Sequence, residues 1–234
     1  MKISKTVALV TGANRGIGLA FTRELLARGA RKVYAGARDP STIKQPGVEA
    51  VRLDVTKPEQ IIAAAAHAGD VALLINNAGV GHEGGFLAHD SEALARLQLE
   101  TNFFGILRTS KAFAPILAAN GGGAVLNVLS IASWVNSGRL AAYAASKAAA
   151  WSLTNALRHE LAGQKTQVLA LHMGFVDTDL VRTIDAPKTS PDVIVKRALD
   201  ALESGLEEVL ADEITVQMKQ GMTSARPSYL PQTA

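Results

Sequence analysis

The chain contains no cysteine, which excludes disulfides and thiolate metal sites alike. It lacks any apolar run of about 18 residues, the length a helix needs to cross a bilayer, so no membrane partner is expected. It has no excess of either charge: 24 Lys and Arg against 21 Asp and Glu give +3, with the basic residues scattered. Nothing in that pattern suggests a nucleic-acid surface. The five histidines, His67, His82, His89, His159 and His172, show no ligand spacing such as His-x-x-x-His, so no metal is expected. The start, MKISKTVALVTGANRGIG, passes from basic to apolar as a signal peptide does. Gly12, Asn14 and Arg15 interrupt that run, no cleavage pattern follows, and it reads instead as a first strand. A cytoplasmic location is expected. What is present, 48% hydrophobic and 19% charged residues over 234 positions, suffices for one soluble domain with a sizeable core.

Hydrophobic periodicity organises the first half. An apolar strand over Lys5–Val10 runs into Thr11-Gly12-Ala13-Asn14-Arg15-Gly16-Ile17-Gly18, and a helical pattern follows with Leu19, Phe21, Leu25 and Leu26 as candidate core positions. A second strand spans Lys32–Ala37. Strand, glycine-rich turn, helix and strand make a βαβ unit, in which glycines let the backbone approach a pyrophosphate at the helix N-terminus. The spacing is Gly-x-x-x-Gly-x-Gly, which departs from the general Gly-x-Gly-x-x-Gly fingerprint. Where that fingerprint expects an acidic residue for the ribose hydroxyls of NAD, the chain has Ala37-Arg38-Asp39. The planar fork of Arg38 suits a 2′-phosphate, and Arg15 in the glycine loop offers a second charge. Both favour NADP; Asp39 keeps NAD open, and solvated loop arginines are the competing reading. A third strand over Val48–Leu53 ends at Asp54-Val55, where a carboxylate could accept from an adenine amino group. A fourth, Val71–Ile75, delivers Asn76-Asn77-Ala78-Gly79 to the carboxyl end of the sheet, where ligands bind in open α/β folds. Asn77 serves there either as a ligand contact or as a structural tie.

The second half carries reactive groups. Ser130 closes the apolar run GAVLNVL, and Tyr143 and Lys147 stand four residues apart in a helix-forming stretch, AAYAASKAAAWSLTNALRHELA. Residues i and i+4 share a helix face, so a hydroxyl, a phenol and an ammonium can meet over one pocket. An adjacent cation lowers the cost of a phenolate, which suits proton transfer to or from a carbonyl oxygen.

These motifs, TGANRGIG (11–18), NNAG (76–79), the Asn of TNFFG (Asn102), and Ser130 with Tyr143-Ala144-Ala145-Ser146-Lys147, follow in the order and spacing of the short-chain dehydrogenase/reductase family, which the chain resembles over roughly residues 5–180. The resemblance implies a single doubly wound α/β Rossmann domain, a parallel sheet of about seven strands with helices on both faces. It implies Tyr143 as general acid or base, Lys147 lowering its pKa and binding the nicotinamide ribose, and Ser130 holding the substrate oxygen. Asn102 would hold a water linking Lys147 to solvent. The cofactor would be NADPH/NADP, held by Gly12, Asn14, Arg15, Gly16, Ile17, Gly18, Arg38, Asp54, Val55, Asn76, Ala78, Gly79, Tyr143, Lys147, Gly174, Val176 and Thr178. The Ala37-Arg38 pair resembles the family's NADPH-preferring reductases, carbonyl reductases included.

The chain departs from the family later on. Met173 stands where members often have proline before Gly174, removing a rigid turn. The segment from Leu180 to Ser190, which in the family covers the substrate, is short. Trp134, Leu140 and Phe175, with Val80 and Leu180, are candidate substrate-pocket walls, for which ordinary core packing competes. Beyond a final strand over Glu208–Leu210, a short amphipathic helix from Asp212 stands where the family often has a glycine-rich ending, leaving a homodimer or monomer as open as a homotetramer. Domain 1–221 divides at about 120 into cofactor and catalytic halves, and a polar tail, 222–234, is expected to be partly disordered. The function expected is NADP(H)-dependent interconversion of a small-molecule carbonyl and its alcohol. The alternative is an idle dinucleotide-binding scaffold of the same fold.

Overall fold

The first strand, β1 (Val7–Thr11), is apolar on both sides: Val7 and Leu9 pack on one face of the sheet, Ala8 and Val10 on the other. Successive strand residues point to opposite faces, so such a strand has to be covered by helices twice. The same alternation recurs in β4 (Leu73–Asn76), where Leu73 and Ile75 oppose Leu74, and in β5 (Ala124–Val128), where Leu126 opposes Val125. With β2 (Lys32–Ala37), β3 (Glu49–Arg52), β6 (Gln167–His172) and β7 (Glu208–Leu210) they form one parallel sheet in the order β3-β2-β1-β4-β5-β6-β7. The computed structural model describes residues 1–230 of the chain.

Helices α1 (Gly16–Ala27) and α6 (Pro191–Glu203) cover one face through Phe21, Leu25, Ile194 and Leu199. On the other lie α2 (Pro58–His67), α4 (Gly105–Ala119) and α5 (Ala141–Ala162), which bury Ile61, Phe113, Leu117, Leu157 and Leu161. Full burial of each such side chain stabilises by roughly 1.5–3 kcal/mol. Helix α3 (Ser91–Leu99) packs on α5, and a single π turn, Glu100–Phe104, joins it to α4. The last helix, α7 (Glu213–Gly221), is capped by the Asp212 carboxylate, which accepts from the Thr215 N–H at 2.9 Å.

The doubly wound parallel sheet read from the sequence is the fold observed, and β2 and β7 have the expected bounds. Strands β1 and β4 begin two residues later than expected. Lys5 sits at φ +66, a left-handed conformation that no strand continues through, and Val71 closes a turn by donating to the Ala68 carbonyl. Of the polar tail, Ser228 folds back on α7, its N–H bonding the Gly221 carbonyl and its hydroxyl that of Met218. Residues 231–234 lie outside the described residues.

The turn into β5 depends on glycine. Gly123 sits at φ +66, and a Cβ there would lie 2.1 Å from the Ala72 carbonyl oxygen, the same oxygen that receives the Ala124 N–H. Gly123→Ala is expected to destabilise the protein by about 2 kcal/mol or more, lowering the thermal midpoint by roughly 4–8 °C for a chain of this size. Differential scanning calorimetry measures it; an unchanged midpoint would show that the turn relaxes freely.

Candidate active site

The sheet order reverses between β1 and β4, whose following helices lie on opposite faces, and a cleft of about 1080 Å³ opens at the carboxyl ends of the strands. The glycine loop forms one wall. Gly12 and Gly16 have φ of +65 and +52, and a Cβ on Gly18 would fall 2.1 Å from the Gly12 carbonyl oxygen. No side chain caps α1, so its first-turn amides are left for a ligand in the cleft. A cradle that any Cβ would fill, ending on an uncapped helix N-terminus, fits the pyrophosphate of a dinucleotide.

Asn77 ties this cradle to β4. Its Nδ2 donates to the Thr11 and Gly12 carbonyls at 2.9 and 3.1 Å, while Thr11 Oγ1 accepts from the N–H groups of Asn77 and Ala78, each at 2.9 Å. Asn77 is thus a structural tie that also borders the cleft. Arg38 lines the cleft past β2, and among the described residues its guanidinium has no side-chain partner. Asp39 behaves differently: it caps its own turn, accepting from the Ser41 N–H at 3.0 Å, and the Ser41 bonds hold its carboxyl below the usual range. Arg15 also faces the cleft but is paired with Asp179 at 3.2 Å.

Ser130, Tyr143 and Lys147 converge on the same cleft. Ser130 follows β5 and begins a 3₁₀ turn, its hydroxyl accepting from the Ala132 N–H at 3.1 Å. The first turn of α5 presents Tyr143, whose phenol is turned toward the Ser130 hydroxyl. Burial pushes the phenol up to about 12, and the neighbouring Ser130 hydroxyl acts the other way. Lys147 is 4% exposed, and burial pushes it down to about 8. Its Nζ donates to the Val128 carbonyl at 2.9 Å and lies 5.8 Å from the Tyr143 ring centre.

Most of the predicted cofactor contacts line the cleft: Gly12, Asn14, Arg15, Gly16, Ile17, Gly18, Arg38, Asp54, Val55, Ala78, Gly79, Gly174, Val176 and Thr178. So do Leu140, Phe175, Val80 and Leu180. Three residues do not. Asn76 is turned into the core, where its Nδ2 donates to Asn127 Oδ1 at 2.9 Å and Ser110 Oγ at 3.2 Å, because an inward-facing polar residue of a covered strand must be satisfied inside. Trp134 is carried behind the site by the 3₁₀ turn and stacks on His172, with ring centres 4.0 Å apart. Asn102 is fully buried in the π turn. Its Nδ2 donates to the Val80 carbonyl and Ser146 Oγ at 2.8 and 2.9 Å, and its Oδ1 accepts from the Val80 N–H at 2.9 Å. Both amide hydrogens are thus committed to protein, and the side chain fixes the NNAG loop against α5.

The short chain dehydrogenase family model matches residues 6–189. A short chain dehydrogenase from Burkholderia cenocepacia, solved in complex with NADP, superposes with a TM-score of 0.93 at 43% identity, over 97% of this chain and 96% of that one. An uncharacterised oxidoreductase of Staphylococcus saprophyticus is 30% identical over 234 residues, 93% of this chain and 99% of its own length. The 3-oxoacyl-[acyl-carrier-protein] reductase of Vibrio cholerae is 31% identical over 194 residues, 79% of each chain.

Two further residues shape the site without any sequence signal. Asp212 Oδ2 accepts from the Gly174 N–H at 2.7 Å, holding the loop after β6 in which Met173 stands for the proline. His172, at the end of β6, is fully buried; its Nδ1 faces the Ser130 carbonyl at 3.2 Å and its Nε2 lies 3.6 Å from Glu208. The carbonyl can only accept, so the proton sits on Nδ1 of the neutral ring. Burial is the largest influence on His172 and takes it from 6.5 to about 4. The unfolded chain therefore takes up this proton below about 6.5 and the folded chain only below about 4, so stability is lost as the pH falls through that window, by on the order of 3 kcal/mol. His172→Phe should lose this dependence, so the gap in thermal midpoint between native and variant proteins narrows from pH 7 to pH 4.5. Parallel midpoint profiles would show that His172 does not titrate in this way.

Proposed function

This chain belongs to the short-chain dehydrogenase/reductase family, and from that premise we propose that it is an NADP(H)-dependent oxidoreductase that reduces a ketone or aldehyde to its alcohol, with Tyr143 as the acid. One observation carries this reading: Ser130, Tyr143 and Lys147 line the same cleft as the glycine cradle. The loop from Gly12 to Gly18 would hold the pyrophosphate, with Asp54 and Val55 on the adenine side. Ala78, Gly79, Gly174, Val176, Thr178 and Lys147 would hold the nicotinamide half. The bound cofactor supplies the hydride.

Ser130 donates a hydrogen bond to the carbonyl oxygen of the substrate, an interaction that strengthens as charge develops there. Tyr143 gives that oxygen its proton. A phenol pushed up to about 12 is fully protonated at neutral pH, the state an acid needs for carbonyl reduction. Lys147, positive below about 8, faces the phenolate left behind. Asn102 acts through the Val80 loop and α5 as a positioning residue. The choice of NADP rests on Arg38, unengaged at the cleft wall while Asp39 is occupied by its own turn, and is supported by the NADP in the Burkholderia relative.

Tyr143→Phe is expected to lower kcat by about 10²–10⁴ while NADPH affinity, read by fluorescence titration, stays within about twofold. Retention of most activity would sink the proposed acid. Arg38→Asp should cut the preference for NADPH over NADH, as a ratio of kcat/KM values, on the order of 10- to 100-fold. Equal efficiency with the two cofactors in the native protein would count against NADP specificity.

A further inference from the structure

The part of the cleft beyond Tyr143 differs in chemistry from the cofactor half. Its apolar walls are Val135 and Leu140 from the loop after Ser130, Leu180, Val181 and Ile184 from the segment after β6, and Met218 from α7, with His82, Ser137 and Thr183 as uncharged polar neighbours. The cations around it are already engaged. Arg139 grips both carboxylate oxygens of Glu83 at 3.1 Å, Arg15 and Arg182 share Asp179, and Lys147 is turned toward the Val128 carbonyl. A substrate carboxylate or phosphate entering here would leave water without gaining an unengaged guanidinium or ammonium, and would meet Glu83 and Asp179 at the rim.

Gly81 shapes the entrance to this space. A Cβ built on it would lie 3.4 Å from Tyr143 Cδ2 and 3.6 Å from Leu180 Cδ1, so the glycine sits where the catalytic ring and the covering segment come together. Its backbone does not demand glycine, since its φ is outside the left-handed region. What a side chain would take away is room beside the phenol. The cover itself is anchored at both ends: the Asp177 N–H donates to the Thr189 carbonyl and the Thr189 N–H to that of Phe175, each at 2.9 Å. The apolar wall is therefore held over the site.

We propose that the substrate is an uncharged, predominantly apolar carbonyl compound, and that Gly81 is the residue that admits its body between Tyr143 and Leu180. The inference rests on the oxidoreductase reading for the reaction but not for the binding. Two probes separate them: methyl hexyl ketone, and its analogue in which the terminal methyl is a carboxylate. Binding is measured by calorimetry on the Tyr143→Phe variant saturated with NADP, and turnover by NADPH absorbance on the native protein.

The neutral ketone is expected to bind at least about tenfold more tightly than the carboxylate and to be reduced in preference to it. Binding of the neutral ketone without turnover would overturn the oxidoreductase reading and leave the ligand class standing. Equal or tighter binding of the carboxylate, or no binding of either probe, would overturn the ligand class whatever the turnover. Gly81→Val should weaken the ketone at least about tenfold with NADP affinity unchanged; unaltered ketone affinity would overturn the role of Gly81. Should valine disturb NADP binding as well, Gly81→Ala, whose added carbon makes only ordinary contacts, decides by the same comparison.

Discussion

The architecture depends on a join between two strands that the topology pulls apart. At the carboxyl ends of β1 and β4 the chain departs to opposite faces, which opens the cleft but leaves the strand ends without a continuing ladder. Thr11 and Asn77 supply the missing bonds, four of them, between the glycine loop and the NNAG loop. The join also explains Gly18: a Cβ there would strike both the Gly12 carbonyl and Asn77 Nδ2. The cradle is glycine-rich because a helix, a strand end and an asparagine all have to approach the same few backbone atoms.

A second set of buried polar contacts fixes α4 and α5 relative to that join. Asn76 and Asn127 are register partners on β4 and β5 and bond each other; Thr109 and Ser110 of α4 reach Asn76, and Asn127 Nδ2 reaches Thr154 of α5 at 3.0 Å. Asn102 makes the corresponding clasp nearer the site, from the π turn to Val80 and Ser146. Each of these groups, left unpaired in the core, would cost about 1–3 kcal/mol, so the network admits few alternative placements of α5. Tyr143 and Lys147 inherit their positions from it. The π turn, which widens a helix by one residue, is what brings Asn102 to face Val80.

This division explains what could be read in advance. The strands were legible because both faces are apolar, and the residues at their carboxyl ends because function concentrates there. Boundaries slipped where a local conformation intervened, as at Lys5. Residues whose role is to bond other side chains were read less well. Asn76 sits beside Asn77 in one motif, yet strand alternation sends it into the core, and Trp134 lies within the loop after Ser130 but faces backward. His172 and Asp212 act on Ser130 and Gly174 through contacts 42 and 38 residues distant in sequence, a distance no periodicity reports. Asn102 was found by motif, but its work is done by hydrogen bonds that only the fold reveals.

The paired ionisation of Tyr143 and Lys147 shows why motif and mechanism are separate questions. Burial moves the phenol to about 12 and the ammonium to about 8, so at neutral pH the phenol is protonated and the ammonium keeps its charge. In the proposed reduction the phenolate would therefore form while Lys147 is still charged. Raising the phenol from 10 to about 12 costs the phenolate on the order of 3 kcal/mol. The Lys147 charge, 5.8 Å from the ring centre, would offset part of that cost. In the proposed reduction the lysine contributes to the state that follows proton transfer, and that contribution ends as the pH rises past about 8.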